Sequence, residues 1–128
     1  MQNNINNTHN ISGEQAEQTA KEFLIAQGLI FVQQNFHSRF GEIDLIMKDN
    51  DTLVFIEVKY RKNALFGGAV AAISTKKQQK IIKTTAIYLQ QQGLNEYNTP
   101  CRFDVIAIEG NITALNKLPI NWLKNAFN

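Results

Sequence analysis

One cysteine, Cys101, stands in 128 residues, which excludes an intramolecular disulfide and a Cys-rich zinc site. Its simplest place is as a small buried strand residue. Two histidines, His9 and His37, are too few and too far apart for a zinc cluster. No apolar run approaches the roughly 20 residues of a membrane-spanning helix. The first residues are polar and Asn-rich, not the charged-then-apolar pattern of a signal peptide. No internal repeat breaks the chain. These absences lead us to expect a protein of the reducing cytoplasm with no membrane partner.

A further absence is local. Residues 59–83 contain no acid but seven basic side chains: Lys59, Arg61, Lys62, Lys76, Lys77, Lys80 and Lys83. Residues 1–58 carry eight acids against three basic residues, and residues 84–128 three of each. The formal net charge of +2 therefore conceals a block of +7, the footprint expected for a polyanionic partner. A solvated lysine face has the same composition. The overall content, 44% hydrophobic and 19% charged, suits one globular domain over 12–128 after an Asn-rich, disordered tail at 1–11.

What is present and unusual is acid inside strands. Gly41-Glu42-Ile43-Asp44-Leu45-Ile46 and Val54-Phe55-Ile56-Glu57-Val58-Lys59 are apolar runs interrupted by charge. Strand interiors disfavour such residues, and buried unpaired charge is costly. Lys48-Asp49-Asn50-Asp51 is dense in turn formers, so the runs read as a hairpin with a loop of about four residues. Pairing Met47 with Thr52 puts Asp44 opposite Phe55. Asp44, Phe55, Glu57 and Lys59 then share one face, with Ile43, Leu45, Val54, Ile56 and Val58 on the other. Glu57 becomes the diagonal neighbour of Asp44, about 7–8 Å away, and a one-residue slip would separate them. Two such carboxylates can hold a hard cation such as Mg2+. Lys59 could then orient an attacking water or neutralise developing charge. A cross-strand salt bridge of Lys59 with Glu57 or Glu42 is the alternative.

The other elements follow from caps and periodicity. Ser12 and Gln15 form a capping box for a helix with Ala16, Ala20, Phe23 and Leu24 on its apolar stripe, ending near Gly28. Leu29 to Phe36 reads as a strand, followed by hairpin strands at about 40–48 and 52–60. Asn63 to Ala72, with Gly67-Gly68, reads as a loop in which Phe66 is an anchor or a base-stacking ring. Ser74 caps a helix to about Gln92, with Ile82, Ala86 and Leu89 on its packing face. Lys76, Lys80 and Lys83 form a separate stripe, suited to phosphate contacts. Arg39, Arg61 and Lys62 flank the hairpin's open end. After a polar loop, Arg102 to Ile108 is a strand, Glu109-Gly110-Asn111 a turn and Ile112 to Leu115 a returning strand. Pro119 opens a terminal helix through Trp122 and Phe127.

The order α-β-β-β-α-β, with Asp44 and Glu57-Val58-Lys59 on its second and third strands, resembles the PD-(D/E)XK nuclease superfamily. Gly41-Glu42-Ile43-Asp44-Leu45-Ile46, Phe55 to Arg61, Phe66-Gly67-Gly68, Arg102-Phe103-Asp104-Val105 and Asn125-Ala126-Phe127 more closely resemble the bacterial YraN family of predicted endonucleases. The resemblance implies an α/β, restriction endonuclease-like core with a mixed central sheet flanked by helices. It also implies Mg2+ or Mn2+ held by Asp44, Glu57 and the Val58 carbonyl, with Lys59 as catalytic lysine. Related resolvases add a glutamate from the first helix, and Glu17, in Glu-x-x-Ala spacing, fits better than Glu14. The superfamily's proline before the first aspartate is Ile43 here. The expected activity is endonucleolytic hydrolysis of DNA, branched or structured DNA included; exposed apolar residues at a sheet edge or on the terminal helix could support a homodimer, as in resolvases. A nucleic-acid-binding accessory module that does not cut is the alternative, and a structural protein with surface salt bridges a third.

Overall fold

A computed structural model describes residues 12–61, 73–109 and 120–128. Helix α1 spans Gly13–Ala26, and strands β1, β2 and β3 span Ile30–Ser38, Gly41–Asp49 and Thr52–Arg61. Helix α2 covers Thr75–Gln91, β4 Cys101–Glu109 and β5 Ile120–Phe127. The five strands form one sheet in the order β1-β2-β3-β4-β5. Only β3 and β4 pair in parallel, and the crossover between them includes α2, as a parallel connection requires. The result is an α/β fold with a mixed sheet, consistent with a restriction endonuclease-like core. The expected tail at 1–11, Lys62, the Phe66-Gly67-Gly68 loop, the turn at 110–111, the strand at 112–115 and Pro119 lie outside the described residues.

Each helix starts as its cap dictates. The Ser12 hydroxyl accepts the Gln15 N–H at 3.1 Å and the Gln15 side chain accepts the Ser12 N–H at 2.8 Å. Ala16, Ala20 and Leu24 of α1 are buried against Leu45, Met47, Val54, Ile56, Ile106 and Ile108. Small alanines let the helix lie close to the sheet. In α2 the Ser74 hydroxyl accepts the Lys77 N–H at 3.0 Å. Its buried side is Ile81, Thr84, Thr85, Tyr88 and Leu89, and Tyr88 meets Phe36 and Phe55 edge-on. The expected packing face is thus turned: Ile82 is half-buried and Ala86 exposed. Hydroxyls that look polar in sequence are used inside, Thr84 sharing a hydrogen bond with Ser38 at 2.9 Å.

The hairpin register also departs from expectation. Asp49 pairs with Thr52, Met47 with Val54 and Ile46 with Phe55. The loop is therefore two residues, Asn50-Asp51, with Asn50 at φ 55°, a conformation asparagine tolerates. The slip is two residues, so parity survives. Ile46 and Phe55 still share the α2 side, whereas Leu45 and Ile56 face α1. Ile43, expected beside Leu45, instead joins Phe36 beneath α2. Between the pairs Gln34–Leu45 and Phe36–Ile43 the hairpin turns over, and Asn35 there has φ 54°.

Residues 120–127 are strand, not the expected helix. The β4 edge supplies a ladder for Val105–Leu123 and Ile106–Trp122, which overrides local preference. Phe127 stacks on Phe103 with centroids 5.1 Å apart. The fully buried Asp104 accepts the Trp122 indole N–H and the Asn125 backbone N–H, both at 2.9 Å. Arg102 closes the cage, donating from Nε to both Asp104 oxygens at 3.0 and 3.2 Å and from a terminal nitrogen to Asp49 at 2.9 Å. No described helix is long and apolar enough to cross a membrane.

Candidate metal centre

Antiparallel pairing brings the start of β2 and the end of β3 to one end of the sheet. The ladder between them stops at Leu45–Ile56. Just past it the Val58 N–H donates to Asp44 Oδ2 at 2.8 Å. A side chain thus accepts the N–H that a neighbouring strand would otherwise engage, and this fixes the carboxylate between the strands. Asp44 is 8% exposed.

Glu17 reaches the same place from α1. One carboxylate oxygen each from Glu17, Glu42 and Asp44 lie within 4.8 Å of one another. Oxygen ligands sit about 2.1–2.5 Å from Mg2+, Mn2+ or Ca2+, so two on one ion are at most about 5 Å apart. The donor set fits a hard divalent cation in both chemistry and spacing. Asn35, at the left-handed position in β1, hydrogen-bonds to Glu17 and lowers its pKa. Burial and the charges of Glu42, Glu14 and Glu57 outweigh this, so the Glu17 carboxyl lies above its usual range.

The electrostatics converge on Asp44. Burial foremost, then the charge of Glu57, then Glu17 and Glu42, push its pKa up from 3.8 to about 8, against the lowering by the Val58 N–H. Repulsion among carboxylates in a poorly solvated place is what a cation would reverse.

Glu57 is 5% exposed and faces α2, where Lys77 Nζ lies 3.4 Å from its Oε2. It stands outside the three-acid group but close enough to act on Asp44 and Glu17. Lys59, half-buried, follows two residues along β3 and so shares the Glu57 face. Val58 enters through its N–H. Glu57 forms its salt bridge with Lys77, and His37 Nδ1 lies 3.2 Å from Glu42 Oε1.

Three of the basic residues meet at the β1–β2 turn. Arg39 and Lys83 flank the Phe40 ring, 5.0 and 5.4 Å from its centre. Lys80 passes Gly41, where a Cβ would stand 3.6 Å from the lysine Cβ and φ is +154°. That is ordinary van der Waals contact, so the backbone angle and not lack of room favours glycine here; Arg39, Lys80 and Lys83 gather at this turn. Lys76 is exposed one turn earlier, and Arg61 is exposed at the end of β3. Sequence reasoning left Glu42 and Asn35 out of the site. The signal for Glu42 was its i, i+2 spacing from Asp44, whereas nothing local marked Asn35.

Residues 16–108 match the model of uncharacterised protein family UPF0102. A UPF0102 protein of Colwellia psychrerythraea is 59% identical over 115 residues, covering 90% of this chain and 87% of its own. A Nitrosococcus oceani UPF0102 protein is 49% identical over 94% of both chains. One from Yersinia enterocolitica is 45% identical over 94% of this chain and 97% of its own. On sequence this chain, with its acid cluster at the open end of the β2–β3 hairpin, belongs to the UPF0102 family.

Proposed function

We propose that this protein is a divalent-metal-dependent endonuclease of the PD-(D/E)XK type, hydrolysing phosphodiester bonds in DNA, branched or structured DNA included. The observation that carries the reading is the cluster of Glu17, Glu42 and the buried Asp44, one carboxylate oxygen of each within 4.8 Å of the others, with Glu57 near enough to raise the Asp44 pKa further. Glu17, Asp44 and Glu57, with the Val58 carbonyl, would hold Mg2+ or Mn2+, and Glu42 joins them by proximity to Asp44. The bound cation supplies Lewis-acid polarisation of a phosphoryl oxygen and a more acidic water. Lys59 would orient that water or stabilise charge developing on the phosphoryl group. Arg39, Arg61, Lys62, Lys76, Lys80 and Lys83 would contact backbone phosphates, and Lys77 would exchange Glu57 for phosphate once a cation takes over the acid.

A cleavage assay tests this, using labelled single-stranded, duplex, flap and four-way-junction DNA with Mg2+, Mn2+ or EDTA. Metal-dependent cutting lost in Asp44→Ala and Lys59→Ala is the expected result. Tight, salt-sensitive binding without cutting under any metal would instead favour a nucleic-acid-binding accessory module. In that case Asp44→Ala should bind as well as the parent or better, because an acid near phosphate only repels.

A further inference from the structure

The described phenylalanines, with one exception, serve the two cores. Phe23 and Phe31 pack against the α1 side, and Phe36, Phe55, Phe103 and Phe127 lie in or against the α2 side. Phe40 joins neither. It stands half-buried in the turn Arg39-Phe40, which the pair Ser38–Gly41 closes. Hydrogen bonds hold that turn. The Phe40 N–H donates to Ser38 Oγ at 3.0 Å, and the same hydroxyl meets Thr84 Oγ1 of α2 at 2.9 Å. The ring is thus presented at a fixed place without being part of a core.

Its neighbours are cations. The Arg39 guanidinium and the Lys83 ammonium lie 5.0 and 5.4 Å from the ring centre, and Lys80 passes beside Gly41. All three basic side chains are exposed. An aromatic face interleaved with basic groups suits a ligand that has flat bases and anionic phosphates. A carboxylate-bearing partner would answer the charges but not the ring face, and an apolar partner would bury the charges at a cost. The turn also lies close to the acids. Along α2, Lys77 stands beside Glu57 and Lys83 beside Phe40. These lysines are about 9 Å apart along the helix axis, roughly three stacked nucleotides.

We infer that Phe40 is a stacking platform for an unpaired base of a DNA strand, about three nucleotides from the acids, with Arg39, Lys80 and Lys83 on the flanking phosphates. This rests on the nuclease reading for the identity of the strand, and it deepens that reading by naming the substrate class. In an uninterrupted duplex each base face is covered by its neighbours, so Phe40 has nothing to stack on. Single-stranded character beside the cut is what the platform selects.

The test is fluorescence anisotropy on the full chain in EDTA, which prevents cutting, at fixed salt. The probes are labelled oligothymidylate and a blunt duplex of equal length. Phe40→Leu keeps an apolar side chain and removes the aromatic face. It should weaken oligothymidylate binding about tenfold and change duplex binding by less than about twofold. Phe40→Trp should bind oligothymidylate as tightly as the parent or more tightly. Lys83→Gln should weaken both probes alike and lower the salt dependence. A Phe40→Leu protein that binds oligothymidylate as the parent does would overturn the inference. So would equal loss of both probes, which would make the ring a support for Arg39 and Lys83. The two readings fail separately. The Phe40 pattern without cutting under any metal would remove the nuclease and keep the platform. Metal-dependent cutting that Phe40→Leu retains in full on single-stranded, flap and junction DNA would remove the platform and keep the nuclease.

Discussion

Two buried aspartates on either side of β3, Asp104 level with Ile56 and Asp44 one residue past the Leu45–Ile56 pair, have opposite environments. Asp104 is fully enclosed, yet Arg102, Trp122 and the Asn125 backbone engage both of its oxygens. Asp44 has one backbone donor and is surrounded by Glu57, Glu17 and Glu42. Charge inside a protein is stable when it is matched and hydrogen-bonded, and otherwise it titrates or recruits a counter-ion. Asp104 is therefore complete as folded, whereas Asp44 is completed by a proton or a cation. The difference separates a carboxylate that builds the sheet from one placed for chemistry.

The sharpest way to break the comparison is to remove the matched acid. Asp104→Ala leaves Arg102 half-paired and the Trp122 and Asn125 donors unanswered. It should cost about 3–5 kcal/mol, read as a large fall in denaturation midpoint at every pH from 5 to 8, with or without metal. A variant within 1 kcal/mol of the parent would remove the distinction between the two sites.

Asp44→Asn should act in the other direction. It keeps an oxygen to accept the Val58 N–H and removes the charge. The folded pKa of about 8 exceeds the ordinary 3.8, so the folded state holds the proton more tightly. Stability from this group is then complete below pH 4 and is lost as pH rises through 8. The metal-free Asn variant should exceed the parent by on the order of 2 kcal/mol at pH 8 and lose that advantage towards pH 4–5. A divalent cation reverses the ranking: millimolar Mg2+ or Mn2+ should stabilise the parent and shift Asp44→Asn much less. Equal thermal shifts in both proteins would rule out Asp44 as a ligand.

The same contrast shows what sequence could reveal. The element order through β4 was legible from caps and periodicity, because Ser12 with Gln15 and Ser74 act through neighbours three residues away. Asp44 and Glu57 were legible as misfits in apolar strands. Their register was not, because Asn50 permits a two-residue turn where four polar residues suggested a longer one. A slip of two residues keeps Leu45, Ile46, Phe55 and Ile56 on their expected faces, but parity fails beyond Leu45, where Ile43 joins the Phe36 side. The α2 face differs from the expected one because Thr84, Thr85 and Tyr88 look polar in sequence yet are buried, Thr84 against Ser38 and Tyr88 against Phe36 and Phe55. Residues 120–127 read as helix because Pro119 suggested a start, whereas the ladder on β4 and the Asp104 donors lie far away in sequence. Glu42, too, becomes a neighbour of Glu17 only once α1 is packed on the sheet.

Smaller effects refine the comparison. Trp122→Phe preserves most of the ring and removes one donor to Asp104, so it should cost about 1–2 kcal/mol, independently of metal. Arg102 and Lys77 then distinguish the two sites from the side of the cations. Arg102 is locked by hydrogen bonds to two acids, Asp104 and Asp49. Lys77 makes a 3.4 Å contact with Glu57 and is 43% exposed, so solvent weakens the pair. Lys77→Met should cost no more than about 1 kcal/mol without metal. Because a cation and Lys77 compete for the same carboxylate, removing the lysine should tighten metal binding a few-fold in a calorimetric titration. A weaker metal affinity in Lys77→Met would instead mean that the lysine helps hold Glu57 in its binding position. Lys77 would then belong with Arg102 as a structural counter-charge, and Glu57 would be closer in kind to Asp104 than to Asp44.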